Sequence, residues 1–562
     1  MTTEGHAVQT SNICAIPALA ILLGACLPGD EVYEDFQKYA DSISTTGTAN
    51  SADPNNAGDP STTDDLDPGN STGTMPGTSS DFPPDVGDEF PEIHSFTIEP
   101  PVITEAGPVI IGATFSKSVT TAALFEKRDG ETHLLEVIDP ASALTYEYAV
   151  TSDNLNGEHE LYLQAFDADE RVAQATSSFE VALPPGGTPV WHHVDYNPDD
   201  PAILTYGADV AVQGDGVVIV GVRIAENRFH LLARRYSGDG ELEWTFESED
   251  EVSGEAVAVD DEGNILIVGI EYGAKSRMWV HKLDAQGVPL WSEPRRGMPG
   301  TTGFDVAVDS SGQIYVVGTR TVTHPDDDNK LEDDAMIWEY RPDGAMEAWA
   351  DYDDNSSYLW SDDRATGITA LSDGRIALAG DVTIAGENNE KLLRAAVLEY
   401  VEHDLFVRWV AQDAPSWSQS SATSIVSDAL GGFALAGWTK SEQPAPERIA
   451  VRGFDASFSN TWSYPGFPEE NPIGVAYSLT RDPEGRFPVG AWIESEFSQD
   501  ARVFSVKQAG GPAWFPPYTY NGSDSGNERV YGVAADTYGY VYFTGSEPVD
   551  GKARLILGKI RP

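Results

Sequence analysis

From residue 188 onward, apolar residues fall in short alternating or continuous runs, each bounded by Asp, Asn and Gly. The clearest unit is residues 251–291, EVSGEAVAVDDEGNILIVGIEYGAKSRMWVHKLDAQGVPLW. Its pattern predicts four successive antiparallel strands. Residues 255–259 are small and apolar, as suits an innermost strand at a crowded axis. In residues 260–264 an Asp caps its own backbone and Gly263 accepts a positive φ. Residues 265–268 form a buried apolar run that ends at Gly269. Residues 278–283 alternate and pair back, and Asp284-Ala-Gln-Gly287 turns again. Residues 288–291 form the outer strand, with Trp291 free to pack between neighbouring sheets.

The same order recurs at a period of roughly fifty residues, which predicts propeller blades. The glycine ending the second strand returns as Gly221, Gly269, Gly318, Gly380, Gly437, Gly490 and Gly545. The outer-strand tryptophan returns as Trp244, Trp291, Trp349, Trp409, Trp462 and Trp514. No tryptophan follows the last glycine, whereas Trp191 precedes the first unit and has no blade of its own. Trp191 is therefore expected to close the last blade, which removes a free sheet edge. The fold class expected is all-β: a seven-bladed β-propeller over residues 185–562, after a Pro-Pro-Gly-Gly hinge at 184–187. An open array of hairpins, or two separate sandwiches, is the alternative.

Residues 93–184 carry a denser pattern of short alternating strands, at 93–98, 109–115, 122–127, 133–138, 146–150, 158–165 and 173–181. Turn residues such as Asp129-Gly130 and Asn156-Gly157 separate them. This predicts a β-sandwich. The stretch GEHELYLQAFDAD at 157–169 resembles the penultimate strand of bacterial immunoglobulin-like domains. That resemblance implies a spacer or adhesion module.

Residues 26–92 are low in apolar content and rich in Ser, Thr, Asp, Gly, Pro and Asn. Too little apolar surface is available to offset ordering entropy, so a flexible acidic tether is expected. Residues 1–25 read as an export signal, with an apolar run too short to span a bilayer. The run ends Leu23-Gly-Ala-Cys26, which resembles the lipobox of bacterial lipoproteins. The resemblance implies lipidation at Cys26 and an exported, membrane-anchored protein of the cell envelope. Leu27 is not the Asp that resembles an inner-membrane retention signal, so the outer membrane is the expected address. A plain secretory signal or a buried apolar strand is the other reading of the same run. The only cysteines are Cys14 and Cys26, so no pair remains after processing for a disulfide or a zinc site.

The formal net charge of −57 argues against nucleic acid as a partner. Two acidic clusters invite a sharper reading. Asp351, Asp353, Asn355 and Asp362 place oxygen donors at the first, third, fifth and twelfth positions of a calcium-type loop, although Ser356 stands where a turn glycine is expected. His324, Asp326, Asp327 and Asp328 sit in a long second-to-third-strand loop at 321–334. With the blade-link aromatics Tyr358, Trp360 and Trp417 they are candidates for a binding face, because variable loops on a rigid scaffold commonly carry function. That face, around the channel mouth, suits a glycan or an envelope protein. His192 and His193 on the closing strand are a further candidate metal pair, with plain packing as the alternative.

Endings such as Asp239-Gly240-Glu-Leu-Glu-Trp244 resemble the tryptophan-docking motif of quinoprotein propellers. The repeat grammar more closely resembles non-enzymatic bacterial propeller lipoproteins, including outer-membrane assembly scaffolds and short β-propeller-repeat proteins. No nucleophile elbow, zinc signature or phosphate loop is present in the sequence. The function expected is therefore a lipid-anchored envelope protein that presents its propeller as a binding or scaffolding surface, with no catalytic residue and no cofactor assigned. A propeller enzyme acting on carbohydrate or a quinone-dependent substrate, and a calcium-stabilised adhesin, are the alternatives.

Overall fold

The computed structural model describes residues 90–562 apart from 118, 129–130, 139–142, 151–156, 170, 196–203, 226–227, 292–293, 324–330, 353–362, 386–390, 412–418, 441–445, 465–472, 495–497, 515, 521, 523–526 and 550–551. The expectations for the signal, Cys26 and most of the 26–92 tether fall outside the described residues. The chain divides into two compact units.

The first unit holds two sheets. One has three strands, Ile93–Glu99, Gly107–Phe115 and Ala143–Val150. The other has five, in the order Val102–Ile103, Val172–Val181, Gly157–Asp167, Val119–Arg128 and Glu131–Ile138. All seven strands expected from the sequence are present. The eighth, Val102–Ile103, is short and pairs parallel with Val172–Val181. Alternation places Val109 and Ile111 of the first sheet, and Leu124, Leu161 and Leu163 of the second, fully out of water. One polar cluster joins the sheets. Tyr148 Oη donates to both oxygens of buried Glu126 at 3.1 Å, and His159 Nδ1 bonds Glu126 Oε1 at 2.7 Å. The buried carboxylate is thereby satisfied.

The second unit is built from seven four-stranded antiparallel sheets. Their innermost strands are Leu204–Gln213, Val252–Val259, Thr301–Val308, Arg364–Ala370, Gln419–Ser427, Gly474–Leu479 and Arg529–Ala535. Each packs against the next, and the seventh packs against the first, so the sheets close a ring. This is a seven-bladed β-propeller, with blades numbered 1 to 7 in that order. Blade 7 takes its outer strand, Pro189–Val194, from ahead of blade 1, with Trp191 opposite Lys559. The closure expected at Trp191 is the closure found.

The repeated acidic turns have a shared cause. In blade 2, Asp260 Oδ1 accepts from the N–H groups of Glu262 and Asn264 at 3.1 and 2.8 Å. Asp284, Asp309, Asp428, Asp455 and Asp536 each do the same with residues two and four further on. Part of the acidity is thus turn chemistry.

The tryptophans dock between blades. Trp244 of blade 1 donates its Nε1–H to Ala285 O of blade 2 at 3.2 Å and lies over Gly287, whose φ is +79°. A Cβ on Gly287 would fall 2.9 Å from the indole. Trp191 meets Gly240, Trp291 meets Gly344 and Trp462 meets Gly510 in the same manner. Trp349 and Trp409 face blades whose corresponding turns lack that glycine. There Glu402, His403 and Phe458 adopt positive φ instead, and Trp349 is exposed.

Four sequence expectations need correction. Residues 288–291 are not the outer strand of blade 2; that strand is Arg295–Arg296, and Trp291 is buried in the segment before it. Trp514 likewise precedes the outer strand Tyr518–Tyr520 of blade 6. In both blades a tight bridge, Leu283–Pro289 or Val506–Pro512, draws the tryptophan segment inward before the sheet edge is reached. The described ends of the 321–334 stretch are strand and not loop: Thr323 closes one strand, Leu331 opens the next, and the two pair. Gly490 is offset by one residue from the other six glycines, for a reason given by the innermost strands.

Candidate binding site

Every innermost strand carries a β-bulge at its third to fifth residue, by the registers of the seven sheets. The residues left unpaired are Ala208, Glu255, Phe304, Thr366, Thr423, Tyr477 and Tyr531. A bulge shifts the alternation by one position and re-aims a side chain. Here each unpaired residue is half-buried behind a buried neighbour. All seven line one cavity of about 540 Å³, joined by Tyr206 and Arg364. These positions lie in the half of each innermost strand, or at its middle, that the blade-to-blade link leads into.

The bulge also explains the glycines. The carbonyl two residues before each bulge turns onto the second strand. A Cβ on Gly221 would lie 2.0 Å from Tyr206 O, on Gly269 1.9 Å from Ser253 O, and on Gly545 1.9 Å from Arg529 O. Only hydrogen fits there. In blade 6 the partner of the residue before the bulge is Ala491, and Gly490 pairs one step away, with Ser478. The nearest atoms to a Cβ on Gly490 belong to Val530 and Val533 of blade 7, so this glycine serves blade packing.

The residue after the bulge ties blade to blade. Asp209 Oδ2 accepts from Val257 N–H of blade 2 at 3.0 Å, and Asp305 Oδ2 from Ile368 N–H of blade 4 at 2.8 Å. Ser424 Oγ accepts from Leu479 N–H at 3.3 Å and Ser478 Oγ from Val533 N–H at 3.2 Å. In each case the donor is the second residue past the next blade's bulge. Thr366 and Thr423 donate their hydroxyls to Ala422 O and Ala476 O at 2.6 and 2.8 Å. Their hydroxyls are committed to the wall. Where a glycine follows the bulge, the blades approach closely: a Cβ on Gly532 would lie 2.6 Å from Asp209 Cα.

The electrostatics follow from this confinement. Asp209 and Asp305 keep some exposed surface, but the ring of blades surrounds them and strips their hydration. Burial pushes Asp209 up to about 8, with the charge of Asp305 adding to it and the Val257 and Val210 N–H groups opposing. Burial likewise pushes Asp305 up to about 7. Glu255 is raised by burial and partly restored by Ser253 Oγ, which donates to its Oε1 at 2.6 Å. The aromatic side of the cavity comes from three successive blades. Tyr477 and Tyr531 have ring centroids 5.1 Å apart at 52°, and Tyr206 lies 6.5 Å from Tyr531.

The residues singled out from the sequence lie elsewhere. Asp351 sits in the outer strand of blade 3 and ion-pairs with Arg320, which also reaches Asp334 at 3.1 Å. Asp353, Asn355, Asp362, His324, Asp326, Asp327, Asp328, Tyr358, Trp360 and Trp417 lie outside the described residues. Among the described residues, no group of three or more His, Cys, Asp or Glu is placed to hold a metal ion. His192 and His193 are exposed and each faces an aromatic ring, Tyr520 at 5.6 Å and Trp191 at 5.1 Å. The cavity residues were missed because they have no one residue type in common. The signal that finds them is a Gly, Ala or Val, the bulge residue, then a small or acidic residue, as in Gly207-Ala-Asp209 and Ala476-Tyr-Ser478.

No protein-family model matches the chain, and no curated protein matches it. Among solved structures, it is similar to the β-propeller domain of the Trilobed protease from Pyrococcus furiosus, with 11% identity and a TM-score of 0.39 over 63% of this chain and 93% of that one. It is similar to the polysaccharide lyase Uly1, at 11% identity and a TM-score of 0.43 over 67% of this chain and 92% of that one. A protein of unknown function from Dyadobacter fermentans gives 12% identity and a TM-score of 0.40 over 67% of this chain and 100% of that one.

Proposed function

We propose that this protein is a lipid-anchored component of the bacterial cell envelope whose propeller binds a partner at its axial cavity. In this reading Cys26 carries the lipid, residues 26–92 form the tether, and residues 93–184 are an immunoglobulin-like spacer. The propeller is the recognition head, and it works without catalysis.

The observation that carries the reading is the ring of seven bulge residues around one cavity. Packing alone would be served by small apolar residues at every bulge. Instead the bulges carry two tyrosines, a phenylalanine and a glutamate beside two threonines and an alanine, and Tyr206 and Arg364 join them in the lining. A mostly apolar concavity with a few convergent polar groups is the usual form of a binding site. Asp209 and Asp305 hold backbone N–H groups of the next blade, which gives them a structural task in place of a catalytic one.

The test is capture from a cell-envelope extract by the full-length chain and by its Tyr531→Ala variant. Specific capture by the parent, lost in the variant while its melting transition is kept, supports the reading. Capture that is indifferent to Tyr531 moves the binding surface away from the cavity and overturns it.

A further inference from the structure

We infer that the axial cavity takes the terminal residues of a neutral oligosaccharide; this rests on the binding reading above and names the ligand class for the same site. The inference follows from what each side of the cavity offers.

Blades 6, 7 and 1 supply Tyr477, Tyr531 and Tyr206, and Phe304 comes from blade 3. Tyr477 and Tyr531 are tilted by 52° with centroids 5.1 Å apart, so they form a corner and not a parallel slot. A pyranose ring, with C–H groups on both faces and its edges, fits a corner of tilted rings.

The polar groups match hydroxyls. Ser253 Oγ holds Glu255 Oε1 at 2.6 Å, which fixes the carboxylate and leaves Oε2 for another donor. Arg364 is exposed at the first position of its strand and offers planar N–H donors. One sugar hydroxyl can donate to the carboxylate, and another can accept from the guanidinium. Thr366 and Thr423 spend their hydroxyls on the wall and add no competing donors.

Net charge disfavours an anion, and Arg364 in the cavity opposes a cation that the net charge would otherwise attract. The chain carries a formal −57, and Glu255 lies in the same cavity as Arg364. An anion would meet the field of the whole molecule with one arginine to hold it. A cationic amine would suit Glu255 and the tyrosines but would meet the Arg364 guanidinium. A neutral polyol meets neither obstacle. The volume of about 540 Å³ lies within the span of small-ligand sites, roughly 300–1,000 Å³.

The experiment is isothermal titration calorimetry of the full-length chain. The probes are maltotriose, cellotriose and diacetylchitobiose, with a galacturonate trimer and choline as charged comparators. The expected result is saturable binding of at least one neutral oligosaccharide. It should weaken at least tenfold in Tyr531→Ala and in Glu255→Gln, and recover in Tyr531→Phe, which keeps the ring. The tyrosine-to-phenylalanine variant guards against misreading a folding defect as lost binding. Binding only of the galacturonate trimer or of choline overturns the inference, as does neutral-sugar binding that ignores both Tyr531→Ala and Glu255→Gln. If envelope capture depends on Tyr531 yet no neutral oligosaccharide binds, the ligand class is wrong while the binding reading stands. If neither occurs, both fall.

Discussion

The carboxylate of Asp209 in blade 1 accepts the backbone N–H of Val257 in blade 2 at 3.0 Å. It does so one residue past a bulge, at the axis, where burial and the nearby charge of Asp305 raise it to about 8. The bond aligns two blades, and the same place makes ionisation unfavourable.

That conflict gives a pH prediction. In the unfolded chain this Asp releases its proton near pH 4, while in the folded chain it holds it until about pH 8. Its stabilising contribution is therefore full below about pH 4 and is lost as pH rises toward 8. Asp305, raised to about 7, acts in the same direction. Asp209→Asn keeps an oxygen for Val257 and removes the charge. Its melting temperature should exceed the parent's by several degrees at pH 8 and match it at pH 4. Equal melting at both values would show that the ring hydrates Asp209 more fully than its position implies.

The Trp244–Gly287 contact should be coupled. Gly287→Ala places a Cβ 2.9 Å from the indole at a φ of +79°. The left-handed backbone alone costs about 1–2 kcal/mol. In a Trp244→Ala background only that part should remain. Trp244→Ala itself should cost about 2–4 kcal/mol, under the roughly 3–5 kcal/mol of a core tryptophan because Trp244 is half-buried. Denaturant titration of the four proteins measures the coupling, and strict additivity would mean that the two residues do not press on each other.

Deleting residues 189–194 removes the outer strand of blade 7 and bares Lys552–Ile560 as a free edge. The deleted chain should self-associate on size-exclusion chromatography at concentrations where the parent elutes as a single species. A well-behaved deletion variant with an unchanged melt would show that the ring is held by packing between neighbouring blades and not by the closing strand.

If Cys26 is the lipidation site, Cys26→Ser should move the protein from the membrane fraction to the soluble fraction of the envelope. Fractionation of cells producing each form decides this, and continued membrane retention of the variant would count against the anchor.

Much of this architecture is legible in the sequence. The seven-unit rhythm and the displaced Trp191 follow from local chemistry: turn aspartates, positive-φ glycines and apolar runs recur because each blade solves the same packing problem. The six aligned glycines could be seen, but not their cause, which is a carbonyl turned by the neighbouring strand's bulge. Gly490 looked like one of the set because its sequence spacing is nearly right; only the register with Ser478 separates it.

The all-β class, the number of repeats and the closing strand are readable from the chain alone, since those depend on patterns within tens of residues. Tertiary structure alone decided the cavity. Ala208, Glu255, Phe304, Thr366, Thr423, Tyr477 and Tyr531 stand far apart in the chain and have no one residue type in common. They meet because a bulge shifts the side-chain alternation by one step in every innermost strand, and because the ring then points all seven at one axis.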